Sequence, residues 1–538
     1  MDDALPEKEL PTSLPWSRRW LEVGLIFALI VVWAGVQPPN VNEAHYLTKA
    51  KHYWNPDFGP GDHFLSSSDA HLTFYWSLGW LTQWLSLSAT AWVGRIVCWG
   101  MLAASWQRLS YLLLPRAWLS LLTAGVTFAG IDYGHMAGEW LIGGVEAKGF
   151  AYPFLFWGLA AALSGRWNWA WILLGIASGL HVLVGGWGVV ALGIAWVLQG
   201  PTRPALVPML PGLVLGGMIS LAGLVPAIMM NQGQPPDVTL RASYIYVFER
   251  LPHHLVVHRF DFGFKVRFAV LVIAWLGSVA LWWFRMPEER TGRFRLFHGF
   301  VAGCLSIAVC GIVIDQWFCY WTQDDELAAR LLRFYWFRMA DVMVPVGLAM
   351  NLSLLVMHRP PLRKRSIRDV PLAFAILLIL IGIVDRVESG WLAEHPPARR
   401  DNYSSYEDWR ATCAWIRENT PNDARFLTPQ RLTTFKWYAQ RSEVFTIKDI
   451  PQDSAAILEW RKRRSQFRFS WRSHAVFSEE NIRVLAERYG FDYVVLDRRR
   501  ADAWKLEPDW TFRRVYPEDP QHTSDFEVYA IDSTPSSQ

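Results

Sequence analysis

The chain has 538 residues, of which 52% are hydrophobic and 32 are tryptophan, and its formal net charge is +4. The mean hydropathy is only +0.13, because long apolar runs in residues 20–386 are averaged with an ordinary charged segment at 387–538. So many long apolar runs, flanked by basic loops, would be hard to bury in a soluble enzyme, and the composition argues against that class.

Apolar runs of the length needed to cross a bilayer recur through residues 20–386. We expect about ten to twelve membrane helices there, since each needs about 20 apolar residues. The first is a retained helix rather than a cleaved signal peptide, because no small-residue cleavage site follows it. The clearest runs are Trp20–Val36, Ala205–Met230, Phe268–Phe284, Gly299–Ile314, Val342–Met357 and Pro371–Val384.

Basic loops predict the topology, because loops rich in Lys and Arg tend to remain in the cytoplasm. The clear ones are the tail at 1–19, the segment 285–295 and the segment 358–368. With these inside, we expect a multi-pass protein, which in a bacterium would lie in the inner (plasma) membrane. The segments predicted to lie outside are 37–71, 231–266, 315–340 and the C-terminal region 387–538.

The middle of the chain is harder to assign. Residues 90–131 are compatible with one broken crossing or several, and 168–199 are interrupted by SGLHVLVGGWG. Such a break needs protein or a cavity to cover the freed backbone groups. We favour a segment that enters and returns, which places 132–149 outside.

The C-terminal region 387–538 reads as a soluble α/β domain, because helical and strand patterns alternate in it. CAWIRENTP predicts an amphipathic helix that ends at a proline. The predicted strands are ARFLTP, EVFTIKD and FDYVVLDR.

The five cysteines show no metal-type spacing, and four of them lie within or near apolar segments. Cysteine in such segments behaves as a small hydrophobic residue. The sequence therefore predicts neither an obligate disulfide nor a zinc site.

The loop 37–71 carries the strongest functional signal, because titratable groups are concentrated there among aromatics. Ionisable groups at a membrane edge are functional candidates by default. Glu43 and Asp69 are the candidate catalytic bases, since a partly desolvated carboxylate suits that role. Glu43 has an alternative as a helix cap or as a partner of Lys49 or His45.

Two segments of this loop resemble the GT-C fold glycosyltransferases, such as protein mannosyltransferases and aminoarabinose transferases. They are Asn42-Glu43-Ala44-His45-Tyr46-Leu47 and Ala70-His71-Leu72-Thr73-Phe74-Tyr75-Trp76. Asn42 stands where that family usually has Asp, and the prolines of the second motif are missing. The segments GGVEAKGFAYP and LLRFYWFRMADV also look like those of bacterial membrane proteins without an assigned activity.

The resemblance implies a GT-C-like membrane module with a polyprenyl-phosphate sugar as donor. It places Glu43 and Asp69 in catalysis, with Tyr46 and His71 near the substrate. A phosphate leaving group also needs cations, and arginine suits it because its fork binds two oxygens. The candidates are Lys148 with Glu146, His253, His254, Arg333 and Arg338, for which salt bridges or an interfacial belt are the alternatives.

No metal ligand is assigned from the sequence. Mg²⁺ or Mn²⁺ is nevertheless compatible with the acids and histidines predicted outside, since these ions prefer carboxylates. The residues considered are Glu43, His71, Glu139, Glu146, His253 and His254.

The leading functional hypothesis is an enzyme, a hexosyl- or pentosyltransferase acting on a lipid, glycan or protein acceptor. Its expected partners are the lipid bilayer and the polyprenyl-phosphate sugar donor, with no nucleic acid. The alternatives are a transporter or flippase of lipid-linked material, and a noncatalytic envelope scaffold that retains the fold.

Overall fold

The structure is a computed structural model that describes residues 14–40, 42–285, 292–357, 370–392, 405–467, 479–498, 511–519, 521 and 523–531. The predicted basic loop 358–368 lies outside the described residues. So do most of the basic segment 285–295 and most of the tail 1–19.

The described part of residues 14–392 is mostly helical. Its helices are α1 (Trp16–Ala34), α2 (Glu43–Trp54), α3 (Leu72–Ser77), α4 (Leu87–Leu113), α5 (Leu119–Gly134), α6 (Ala147–Leu163), α7 (Trp167–Leu180), α8 (Val182–Leu198), α9 (Leu210–Met229), α10 (Pro236–Tyr244), α11 (Pro252–Leu255), α12 (Phe262–Arg285), α13 (Gly292–Ile314), α14 (Asp325–Leu332), α15 (Arg338–Met357) and α16 (Val370–Arg386). Short π-helical segments cover Ile245–Arg250, Asp315–Trp321 and Val387–Trp391.

Among the described residues, four helical segments are by themselves long and apolar enough to cross a membrane. They are Leu87–Leu113, Val207–Met229, Phe262–Phe284 and Gly292–Trp321. Side chains on α9 and α12 face outward, with Val214 60% and Ile273 68% exposed. Apolar side chains this exposed suit lipid contact, and the protein is a polytopic α-helical membrane protein.

Fewer segments meet this condition than the sequence led us to expect, partly because α5, α6, α7, α8 and α16 have only 14–17 residues. The predicted break in 168–199 falls at His181, an extended residue (φ −149°) between α7 and α8. A Cβ on Gly185 would lie 2.0 Å from the backbone nitrogen of Ser178. The chain therefore turns back on itself, and only glycine allows this approach.

Helices α7 and α9 pack through matching small residues. Gly175 and Gly179 on α7 are spaced like Gly212 and Gly216 on α9. A Cβ on Gly175 would lie 2.2 Å from the Gly216 carbonyl oxygen. Small residues at this spacing let membrane helices approach closely, which favours association where lipid removes the hydrophobic driving force.

The C-terminal region forms a mixed five-stranded sheet flanked by helices. The strands are β1 (Arg425–Leu427), β2 (Ser442–Glu443), β3 (Tyr493–Asp497), β4 (Arg513–Tyr516) and β5 (Phe526–Ala530), in the order β2-β1-β3-β5-β4. Strand β1 pairs in parallel with β2 and β3, and β5 pairs antiparallel with β3 and β4. The helices are α17 (Tyr406–Asn419), α18 (Phe435–Tyr438), α19 (Ser454–Gln466) and α20 (Glu479–Tyr489).

This α/β region lies on the loops at one end of the bundle. Ser442 Oγ donates to the Pro60 carbonyl oxygen over 2.9 Å, and His63 Nε2 lies 3.0 Å from the Ala456 carbonyl oxygen. Arg461 binds Glu249 at 2.8 Å. The first loop and the 231–266 segment are thereby held beneath the same face of the C-terminal region.

Candidate active site

A cavity of about 170 Å³ lies between the bundle end and the C-terminal region. Its walls come from the first loop, the 135–148 segment, the 245–254 segment, the start of α15 and the segment after β2. The lining residues are Asn42, His45, Tyr46, Ala137, Gly138, Glu139, Trp140, Glu146, Lys148, His181, Tyr246, Arg250, Leu251, His254, Tyr335, Arg338, Lys448, Ile450 and Gln452.

Four charged side chains form the floor of this cavity, and we call Glu139, Glu146, Lys148 and Arg338 the cavity cluster. Lys148 Nζ lies 3.0 Å from Glu139 and 3.1 Å from Glu146. Arg338 Nε lies 3.0 Å from the other oxygen of Glu139. Glu146 and Lys148 flank the start of α6 and Arg338 begins α15, so two helix starts bring these charges together.

Aromatic rings and polar groups hold the cavity cluster in place. The Lys148 ammonium lies 4.0 Å from the Trp140 ring centroid, and the Arg338 guanidinium lies 4.3 Å from that of Tyr335. Both distances suit cation–π attraction. The Asn42 amide donates to Glu146 over 2.7 Å. The two cations are thus pre-positioned on the cavity floor.

The cavity lining carries an excess of positive charge. Two further cations, Arg250 and Lys448, face it from the segments above, so four cationic side chains accompany two carboxylates among the lining residues. Arg250 Nε donates to the Ile447 carbonyl oxygen over 2.9 Å, which fixes it against the C-terminal region. A site with this balance favours an anionic ligand.

His45 joins the cavity to the C-terminal region. Its Nδ1 lies 2.8 Å from Asp449 Oδ1, and the Asp449 side chain is 3% exposed. The pKa of His45 is lowered by burial, while the bond to Asp449 opposes that shift. A neutral imidazole oriented by a carboxylate is suited to accept a proton.

Asp449 belongs to a second group of buried charges, which we call the docking cluster: Asp62, Lys436, Glu443 and Asp449. Lys436 Nζ lies 2.5 Å from Glu443, 2.7 Å from Asp449 and 3.6 Å from Asp62. Burial raises the pKa of Glu443 to about 7, with Lys436 opposing and the neighbouring carboxylates adding to the shift. Burial also disfavours charge on Asp449, but Lys436 and His45 hold its pKa below the usual range.

The structure brings five of the sequence-predicted site residues to the cavity: Tyr46, Glu146, Lys148, His254 and Arg338. His254 Nδ1 contacts the Ala137 carbonyl oxygen. Burial, followed by repulsion from His253, lowers the pKa of His254 to about 3, so this ring is neutral at physiological pH.

Glu43 does not line the cavity. Arg95 Nε and Nη2 each donate to its carboxylate over 2.6 Å, and both side chains are 0% exposed. The backbone N–H groups of Asn40 and Val145 donate to it as well. With its oxygens occupied in this way, Glu43 pins the first loop to α4 and the 135–146 segment. The partner is neither Lys49 nor His45, the two weighed from the sequence.

The remaining predicted residues lie around the cavity rather than in it. Asp69 pairs with Lys49 at 3.5 Å; burial raises its pKa and Lys49 opposes the shift. His71 lies in a small adjoining pocket, 3.4 Å from the Tyr46 hydroxyl. Arg333 donates to Ser243 over 3.2 Å, and His253 is exposed beside His254.

Several lining residues were not among the predicted site residues, namely His45, Tyr246, Tyr335 and Lys448. Tyr246 and Tyr335 are 3.1 Å apart through their hydroxyls although 89 residues separate them. Lys448 lies in a segment that the sequence assigned to a strand, whereas β2 ends at Glu443. No local pattern marks such residues, because their roles depend on the docking of the C-terminal region.

Comparison with known proteins adds little at the level of activity. Residues 407–467 match a domain family of unknown function, DUF6798. No curated protein matches the chain. Among solved structures, the chain is similar to the Archaeoglobus fulgidus oligosaccharyltransferase in complex with Zn and sulfate, with 13% identity and a TM-score of 0.43 over 90% of this chain and 68% of that one. Because this likeness is weak, the site is assigned from its own geometry.

Proposed function

We propose that this protein is a GT-C-type glycosyltransferase of a bacterial inner membrane. It moves a sugar from a polyprenyl-phosphate donor to a lipid, glycan or protein acceptor on the non-cytoplasmic face. The observation that supports this most is the cavity at the bundle end, where four cations accompany two carboxylates. A donor phosphate would find there the positive charge that its departure requires.

In this proposal, Lys148 and Arg338 bind the donor phosphate. Their ion pairs with Glu139 and Glu146 hold them in position before substrate arrives, so little reorganisation is needed during transfer. Lys448 adds positive charge from the C-terminal region, and Arg250 adds it from the π-helical segment Ile245–Arg250. The C-terminal region is therefore part of the site, and both halves of the chain are needed.

His45 is the proposed base, and Asp449 is its positioning residue. The acceptor hydroxyl loses its proton to His45 Nε2, and the acceptor oxygen forms a bond to the sugar C1. The bond from C1 to the phosphate oxygen breaks, and polyprenyl phosphate leaves with that electron pair, stabilised by the cavity cations. Glu43 is not the base in this proposal, because Arg95 and two backbone N–H groups occupy it.

A divalent ion such as Mg²⁺ or Mn²⁺ does not fit the cavity floor. Glu139 and Glu146 are the carboxylates that line it, and Lys148 lies between them at hydrogen-bonding distance from both. An ion there would have to displace this ammonium from two partners. We therefore assign the neutralisation of the phosphate to side-chain cations.

The function is tested by mass spectrometry of envelope lipids and glycans from cells with and without the protein. We expect the wild type to restore a species heavier by one sugar residue. Arg338→Gln should fail to restore it, whereas Arg330→Gln, an exposed arginine on α14, should restore it. A labelled lipid that crosses the membrane without a new glycosidic bond would instead indicate a flippase and overturn the proposal.

The base is tested by a matched pair of histidines in the first loop. His45→Gln should reduce transfer strongly, whereas His63→Gln should retain it, because His63 contacts the C-terminal region outside the cavity. Asp449→Asn should move the acidic limb of the rate profile to lower pH, since Asp449 raises the pKa of His45. Full activity of His45→Gln with an unchanged pH profile would exclude this assignment.

A further inference from the structure

Three potential metal ligands meet at the edge of the bundle, away from the cavity floor. Asp315 and Cys319 lie in the π-helical segment that continues α13, and His258 lies in the short 3-10 helix Val257–Arg259 that follows α11. A His nitrogen, a carboxylate oxygen and the Cys sulfur all lie within 4.8 Å of one another. The sequence predicted no zinc site, because ligands from two distant segments form no recognisable spacing.

Within the part of the chain that the structure describes, no Lys or Arg forms an ion pair with the carboxylate of this group. Asp315 is 0% exposed, and among the described residues its ion-pair partner is His258, at 3.0 Å. The His258 backbone N–H and the Gln316 amide also donate to it. Burying a carboxylate against neutral donors is costly, and a bound cation would offset that cost.

We propose that His258, Asp315 and Cys319 bind a zinc ion. Nitrogen, oxygen and thiolate sulfur are the donors that Zn²⁺ accepts, whereas Mg²⁺ and Mn²⁺ avoid thiolate. Three protein ligands leave a fourth tetrahedral position for water. Binding would release the Cys319 proton and place the remaining His258 proton on Nε2, so the exposed Arg259, which now donates to Nε2, would turn toward solvent.

The ion would act as a clamp on one wall of the cavity. His258 lies four residues after His254, a cavity-lining residue that contacts the Ala137 carbonyl oxygen. Zinc would tie this segment to the end of α13 through Asp315 and Cys319. This inference goes beyond the proposed transferase activity. It does not depend on that activity, because zinc binding can be measured in its absence.

The test is metal analysis of the purified full-length chain after incubation with Zn²⁺ and removal of the excess. We expect about one zinc per chain, with loss of binding in Cys319→Ser and in His258→Ala. Cys310→Ser, at an exposed cysteine on the same helix, should bind as the wild type does. Co²⁺ in place of Zn²⁺ should give a thiolate charge-transfer band that is lost in Cys319→Ser and in His258→Ala and is retained in Cys310→Ser.

His258→Ala is a second variant for this test, because the His258 side chain is 39% exposed and does not belong to a fully buried core. Thermal unfolding without metal gives the stability that this variant loses with the Asp315 ion pair, and added Zn²⁺ should raise the melting temperature of the wild type and of Cys310→Ser but not that of His258→Ala. Equal zinc content in the wild type, Cys319→Ser and His258→Ala would overturn the proposal. So would the absence of retained zinc in the wild type.

Discussion

The cavity cluster and the docking cluster are both buried groups of charge, but they differ in balance and in access. The cavity cluster pairs two cations with two carboxylates on the floor of a cavity. The docking cluster places a single lysine among three carboxylates, each at most 3% exposed, where the first loop meets the C-terminal region. The first arrangement leaves its cations facing a ligand space, and the second is closed.

This difference indicates that the cavity cluster can bind a ligand, whereas the docking cluster attaches the C-terminal region to the first loop. Cations that face a cavity can exchange part of their pairing for a ligand, whereas a lysine enclosed by three carboxylates has no room to do so. The two groups are linked through Asp449, which binds both Lys436 and His45. Docking of the C-terminal region therefore also orients a side chain of the cavity.

The largest effect is expected from Lys436→Met, which would leave the three carboxylates buried without a cation. Breaking a buried pair costs about 3–5 kcal/mol. We expect thermal unfolding in detergent at a clearly lower temperature and faster proteolysis of the C-terminal region. Lys462→Met is the control, since that lysine is 57% exposed and should leave both measurements unchanged. A Lys436→Met protein as stable as the wild type would show that the cluster does not secure docking.

The next effect concerns Glu43 and Arg95. Each single change, Glu43→Gln or Arg95→Gln, should lower the free energy of unfolding by about 3 kcal/mol, because it leaves one buried charge unpaired. The double variant should lose less than the sum, as expected for directly interacting residues. Transfer activity measured beside stability then decides the role of Glu43. A double variant that is stable but inactive would instead support a catalytic role for Glu43.

In the cavity cluster, we expect a substitution to reduce transfer activity more than it reduces stability. Lys148→Met should reduce transfer roughly 100-fold, about 2.7 kcal/mol of transition-state stabilisation. Its melting temperature should fall less than that of Lys436→Met, because water in the cavity can solvate Glu139 and Glu146. Comparison of rate and unfolding for the two lysine variants tests this directly. Equal losses of stability would remove the distinction between the clusters.

The smallest effect, measured per pH unit, is a pH dependence of stability from Glu443. Its pKa is raised to about 7 in the folded chain, from 4.5 when exposed. The folded state therefore holds a proton that the unfolded state has lost, and stability is complete below the lower value. It decreases as pH rises toward 7, by at most about 1.4 kcal/mol per pH unit. Glu443→Gln should flatten the curve of unfolding free energy between these pH values. An unchanged slope in that variant would assign the pH dependence to another group.

Local patterns in the sequence determined the membrane class, the position of the break at His181 and the α/β character of the C-terminal region. These follow from hydrophobic run length and from periodicity over a few neighbouring residues. Local chemistry also predicted Lys148, Glu146 and Arg338 as site residues, and the structure places all three at the cavity. Charged residues beside apolar helix ends are rare, and this makes them candidates.

Only the tertiary structure decided which of the charged groups meet. Glu43 pairs with Arg95, 52 residues away in the sequence, and His45 contacts Asp449, 404 residues away. A carboxylate or an imidazole has the same local sequence signal whether it faces a cavity or a buried partner. The difference arises from helix packing and from docking of the C-terminal region, which decide how much water remains at each charge and which counter-charge replaces it.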